Sequence, residues 1–145
     1  MISLHTKRRI DTALAVTALL TALTGIALHL KKHGILIEPR AALKVVHYAL
    51  GFAMLACATL HASLTLRLMR PMGTKRPWFV RMAWLLLLLL AAGGVTGLLK
   101  LASPVKIPHL GLIHYWVGVG ITLSAAFHLG IALPWLVAKY RKRMT

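Results

Sequence analysis

The sequence predicts an all-α fold: an integral membrane bundle of four helices, formed as one domain over residues 1–145. Three observations lead there. Hydrophobic residues make up 59% of the chain and the mean hydropathy is +0.76, too apolar for a soluble domain of this size. Four apolar stretches, residues 10–30, 43–69, 79–101 and 112–138, each reach the ~20 residues that cross a hydrocarbon core about 30 Å thick. Basic residues gather at the ends of these stretches. Backbone polar groups in lipid must be paired within their own segment, so each stretch is expected to be a helix.

The first stretch follows Lys7, Arg8 and Arg9, as the apolar part of a signal peptide would. It is longer than such a region, and no clear small-x-small cleavage site follows, so it reads as a retained helix. Gly34 and Pro39 mark the first connection, 31–42, as a break. The second stretch carries Cys57, the only cysteine, which excludes an internal disulfide and a CxxCH haem attachment. In its apolar setting Cys57 reads as a small packing residue. A turn is expected at Pro71-Met72-Gly73, with Pro77 just before the third stretch. The leucine run 85–90 is expected to face lipid or fill the bundle. Pro104 and Pro108 lie in the last connection, 102–111. Connections this short make sequence neighbours antiparallel hairpins.

The net charge is +16, with 18 basic residues against Asp11 and Glu38. The cations flank the spans, where they meet anionic head groups or snorkel from helix ends, so membrane lipid rather than nucleic acid is the expected partner. Twelve of them lie at the two termini and around the middle turn, and six (Lys31, Lys32, Arg40, Lys44, Lys100 and Lys106) lie on the other side. The positive-inside rule then places both termini in the cytoplasm.

Four of the eight histidines form a pattern. His47 and His61 lie 14 residues apart in the second stretch, and His114 and His128 lie 14 apart in the fourth. Fourteen residues make almost four helical turns, so each pair shares a face, with its members about 21 Å apart along the axis. One metal cannot bind both members of a pair. The second and fourth helices run in the same direction, so His47 is matched with His114 near the external face and His61 with His128 near the cytoplasmic face. Two histidines are too few for a closed zinc site. They are what a haem needs, because the porphyrin supplies four nitrogens and the protein the two axial ones. Two stacked haems, one per pair, are therefore expected.

A short internal repeat accompanies this pattern. His47-Tyr48-Ala49-Leu50-Gly51 matches His114-Tyr115-Trp116-Val117-Gly118, and Thr24-Gly25 recurs as Thr96-Gly97. Gly51 and Gly118, each four residues after a histidine, are candidates for letting a flat macrocycle approach the backbone. Gly25, Gly93, Gly94 and Gly97 could do the same from flanking helices, against ordinary small-residue packing as the plainer reading. Lys44, with Arg40 and Lys106, is a candidate partner for haem propionates on the external side. Arg67, with Arg70, Arg8, Arg9 and Arg81, is the candidate on the cytoplasmic side; the plainer role of all of them is anchoring helix ends. His5, His29, His33 and His109 read as solvated or structural, or as a proton relay near an external pocket.

The spacing H47-x13-H61 and H114-x13-H128 resembles the haem-bearing four-helix core of the cytochrome b subunit of quinol:cytochrome c reductases. The small size and the H-Y-x-x-G in both halves look more like stand-alone bacterial diheme cytochromes b, of the flavinylation-associated type. The resemblance covers about residues 10–138. It implies His47, His61, His114 and His128 as axial ligands of two b-type haems, and a place in a bacterial cell membrane. The expected function is electron transfer between a quinol pool and an acceptor at the external face. Two alternatives stand beside it: an oxidoreductase acting on superoxide or ferric chelates at that face, and a haem-containing anchor subunit for a soluble redox partner protein. No quinone-site motif is matched.

Overall fold

In the computed structural model the backbone is described for residues 4–34, 40–75 and 77–141, and the side chains for 5–30, 32–34, 41–66 and 77–132. Four helices follow one another: α1 (Leu4–Lys32), α2 (Arg40–Lys75), α3 (Pro77–Ala102) and α4 (Leu110–Arg141). Among the described residues there is no strand. All four are long and apolar enough to cross a membrane, as a multi-pass membrane protein requires. The shortest, α3, has 26 residues, about 39 Å at 1.5 Å per residue.

The helices begin and end where local chemistry permits. α1 starts before its apolar run, and Lys7 and Asp11 meet one turn apart on it, at 4.0 Å. It ends where His33 N–H donates to the Leu30 carbonyl and Gly34 turns to φ +80°, a left-handed conformation that glycine adopts without a side-chain penalty. The expected break at Pro71-Met72-Gly73 does not occur: α2 runs on to Lys75 and α3 begins at Pro77. A proline forfeits one backbone hydrogen bond but does not by itself end a helix that neighbours support, whereas Pro77 sits at a first helical position, where its missing N–H is not needed. α4 is opened by His109, whose φ is +58° and whose carbonyl accepts from Leu112 and Ile113 N–H at 2.9 and 3.0 Å.

α1 packs most extensively on α2, and α3 on α4, so the expected antiparallel hairpins form. Thinner seams join α2 to α3 and α1 to α4. Among the described residues, α2 and α4 do not touch as neighbours; they face each other across the diagonal. The α3–α4 seam is close because Gly93 has no side chain: a Cβ there would lie 2.9 Å from Ile121 Cδ1. At the α2–α3 seam a Cβ on Gly94 would lie 3.1 Å from Leu55 Cδ1. Met54, Ala58, Ala83 and Leu110 are the buried hydrophobic residues, and no large side chain is fully buried among the described residues. The outer surface is apolar, with Leu88 70% and Leu123 67% exposed, as contact with lipid requires. The leucine run does both expected jobs. Leu85 and Leu88 are exposed, while Leu89 would touch a Cβ on Gly120 of α4 at 3.6 Å.

Candidate bis-histidine sites

The diagonal arrangement brings two of the four expected ligands together. His47 of α2 and His114 of α4 have ring centroids 6.2 Å apart, with planes at 87°. Two imidazoles that share one metal, each bonded through a nitrogen at about 2.0–2.1 Å with its ring centre roughly one ångström further back, stand about 6 Å apart. The pair lies at the end of the bundle opposite the chain termini.

Each ring is held in the same way by its hairpin partner. Thr24 Oγ1 of α1 lies 2.9 Å from His47 Nδ1, and Thr96 Oγ1 of α3 lies 2.9 Å from His114 Nδ1. Both hydroxyls are also placed to donate their one proton to a carbonyl in their own helix, Thr24 to Leu20 at 2.8 Å and Thr96 to Ala92 at 2.8 Å. With that proton so used, each hydroxyl accepts from the imidazole Nδ1–H. This tautomer leaves the Nε2 lone pair of both rings for a metal. The glycine after each threonine makes room for the ring. A Cβ on Gly25 would lie 3.2 Å from His47 Cε1, and one on Gly97 would lie 3.3 Å from His114 Cε1. The Thr-Gly repeat thus does equivalent work in both hairpins. Lys100, in the last turn of α3, is the cation whose field reaches both rings.

The other two histidines lie toward the end that carries the termini, within electrostatic reach of each other. His61 Nδ1–H donates to the Asp11 carboxylate of α1 at 2.7 Å. His128 stacks on Phe79 of α3, with centroids 4.8 Å apart, and its buried Nδ1 has no hydrogen-bond partner among the described residues. The sequence reading missed Asp11 and Phe79. The signal for Asp11 was present: a carboxylate inside an apolar span is costly and calls for a partner.

Of the two pairs, only His47 and His114 stand in ring contact among the described residues, at a separation compatible with two ligands of one haem. Among the described residues no group of three or more His, Cys, Asp or Glu is assembled for a metal held by protein alone. To hold a metal, a two-histidine pair would need further ligands such as the four nitrogens of a porphyrin. A Cβ on Gly51 or Gly118 would meet open space. Neither glycine serves a close helix contact, and Gly111 and Gly130 open onto space in the same way. The unpartnered Nδ1 of His128 belongs to an imidazole stacked on Phe79.

The remaining candidates are placed as follows. Lys44 is exposed one turn before His47, and Lys106 and Arg81 are exposed too. Arg8 and Arg9 are exposed in the first turns of α1. Arg40, Arg67 and Arg70 lie on α2, but their side chains fall outside those described. His29 of α1 stacks on Tyr115 of α4 at 4.0 Å and 14°, and the His33 ring lies 4.8 Å from His29. The structure thus gathers two of the minor histidines beside the residue that follows His114. His5 and His109 are exposed, and Cys57 is half-buried in α2. The apolar concavity lined by Trp84, Leu85, Leu87 and Leu88 lies on α3 and contains none of these residues.

Compared with family models, with curated proteins and with solved structures, the chain finds no match in any of the three.

Proposed function

We propose that this protein is a transmembrane electron carrier with two b-type haems, one ligated by His47 and His114 and the other by His61 and His128. The observation that carries the reading is the mirrored Thr–His geometry: two rings on diagonal helices, each with a threonine hydroxyl 2.9 Å from its Nδ1, at a separation that suits a shared metal. A haem so bound supplies one-electron Fe(III)/Fe(II) chemistry.

The chain's own residues define what that chemistry can be. Ligation by two histidines leaves no open coordination position, which favours outer-sphere transfer over oxygen binding or oxygenation. Thr24, Thr96 and Asp11 orient the ligands. Gly25 and Gly97 let the rings sit against the neighbouring helices. Lys44 on one side and Arg67 on the other are the proposed partners of the propionates. The 14-residue spacing sets the two sites about 21 Å apart along the bundle, which reaches across most of a hydrocarbon core. With the termini in the cytoplasm of a bacterial cell, as the charge distribution favours, electrons pass between a membrane quinol pool and an acceptor at the external face.

A dithionite-reduced minus oxidised visible spectrum of the purified protein, with pyridine haemochromogen quantification, tests the reading. A b-type signal with two haems per chain is expected, and one haem should be lost in His47→Ala and one in His61→Ala. Absence of haem after expression with ample haem supply overturns it, as does His61→Ala retaining both haems at full occupancy.

A further inference from the structure

The two sites differ in what stands behind their ligands. At the end opposite the termini, the Nδ1–H groups of His47 and His114 meet neutral threonine hydroxyls, both at 2.9 Å. At the terminal end, His61 Nδ1–H meets the Asp11 carboxylate at 2.7 Å. A carboxylate behind an imidazole increases the electron density that the ring presents to a metal, and so favours the more oxidised, more positive ion. A hydroxyl does this far less. One neighbouring charge acts in the same sense, while the exposed Arg8, Arg9 and Arg81 at the terminal end act against it through solvent. Lys100 reaches both rings of the opposite pair, where a cation disfavours a further positive charge on the metal. At the terminal end Lys7 lies 4.0 Å from Asp11; the two side chains are 39% and 42% exposed, so solvent screens both charges, and what acts on His61 is the direct 2.7 Å hydrogen bond.

Resting on the diheme reading above, we infer that Asp11 makes the His61–His128 haem the lower-potential centre, so that the protein is a directional wire in which an electron is more stable on the His47–His114 haem. Moving the electron between them oxidises one iron and reduces the other, and no bond forms or breaks. With the termini in the cytoplasm the downhill direction is outward. Asp11 is a positioning residue in this account: it acts through His61 and touches no substrate.

The experiment is a spectroelectrochemical redox titration of the purified, haem-loaded full chain in detergent. The wild type should resolve two midpoints. In Asp11→Asn, which keeps the side chain's shape and one acceptor oxygen, the lower midpoint should rise toward the upper one while the upper stays in place; Asp11→Glu should hold it near the wild-type value. Should Asp11→Asn lose its haem, Lys7→Gln reads the same contact from the other side. Removing the cation strengthens the carboxylate's field, so the lower midpoint should fall further. Two bound haems with midpoints unmoved in Asp11→Asn overturn the inference and leave the diheme reading intact. So does a lower midpoint that rises in Lys7→Gln. A chain that binds no haem at all overturns the diheme reading and the inference with it.

Discussion

Thr24→Val isolates the hydrogen bond that orients His47. Valine keeps the shape of threonine but lacks the hydroxyl that accepts from Nδ1–H at 2.9 Å. The helix itself loses little, because the Thr24 hydroxyl's bond to the Leu20 carbonyl is an addition to the backbone ladder and not a part of it. What remains is an imidazole N–H with only the Thr21 carbonyl within reach; the full loss of an acceptor costs about 1–3 kcal/mol when buried. The Thr24–His47 contact is only part-buried, so the lower half of that range applies, and about 1.4 kcal/mol corresponds to a tenfold change in affinity. This agrees with the low end of the roughly 10–100-fold losses that follow removal of the group behind a metal-bound histidine. The assay is transfer of haem from the purified protein to an apo-globin acceptor, followed by visible spectroscopy. Thr24→Val should release one of its two haems about tenfold more readily, while the other stays as tightly held as in the wild type. Thr24→Ser, which restores the hydroxyl, should behave as wild type. Thr96→Val should match Thr24→Val. The double variant should lose less than the two single losses added together if, as proposed, both ligands serve one iron. If Thr24→Val holds both haems as tightly as the wild type, the hydrogen bond does not orient the ligand and the reasoning fails.

Other expectations follow from the same packing. Gly93→Ala places a methyl 2.9 Å from Ile121 Cδ1 and should lower stability by about 1 kcal/mol, as overpacking does, measured by unfolding in mixed micelles; Ile121→Val in the same chain should recover most of that loss. Gly51→Ala meets no neighbouring atom, so the haem-free bundle should be as stable as the parent or more so, by up to about 1 kcal/mol from helix propensity. The same variant should bind haem more weakly if that space receives the macrocycle, and unchanged haem affinity would remove Gly51 from the site. Topology is testable in a Cys57→Ala background: Lys106→Cys should react in intact cells with a membrane-impermeant maleimide, whereas Thr145→Cys should react only after permeabilisation. The reverse pattern would invert the orientation.

Much of the fold was legible because hydropathy and helical periodicity act along one dimension. An apolar run long enough to cross a membrane has only the helix available to it, so the four spans could be counted from composition alone. Their ends were less legible. Pro71 reads as a stop, yet α2 continues past it to Lys75, because a proline forfeits one backbone hydrogen bond without forbidding the helix. The start of α1 lies among charged residues that a hydropathy window discounts. The Thr-Gly repeat was visible, but its offset from the histidine differs between halves: Thr24 and His47 are 23 residues apart, Thr96 and His114 are 18. The helix ends are separated by the same number of residues in both hairpins, so the excess lies in the helices of the first hairpin, which extend further past the contact. Sequence offset therefore obscured an equivalence that the geometry makes plain.

The glycines divide along the same line. Gly25 and Gly97 are where an imidazole lies against the backbone, whereas Gly51 and Gly118, the more conspicuous pair in the sequence, open onto space. Nothing in a one-dimensional pattern distinguishes these cases, since both need only the absence of a side chain.

The sequence by itself determined that the chain crosses a membrane four times, and that His47 shares a face with His61 and His114 with His128. Both follow from the fixed rise and twist of a single helix. Only the tertiary structure decided that α2 and α4 lie across a diagonal with His47 and His114 6.2 Å apart, and that Thr24, Thr96 and Asp11 on the other two helices are the groups behind the rings. Those choices depend on how far each helix slides and turns against its neighbours. That register is set by many side-chain contacts acting together, and no local stretch of sequence contains it.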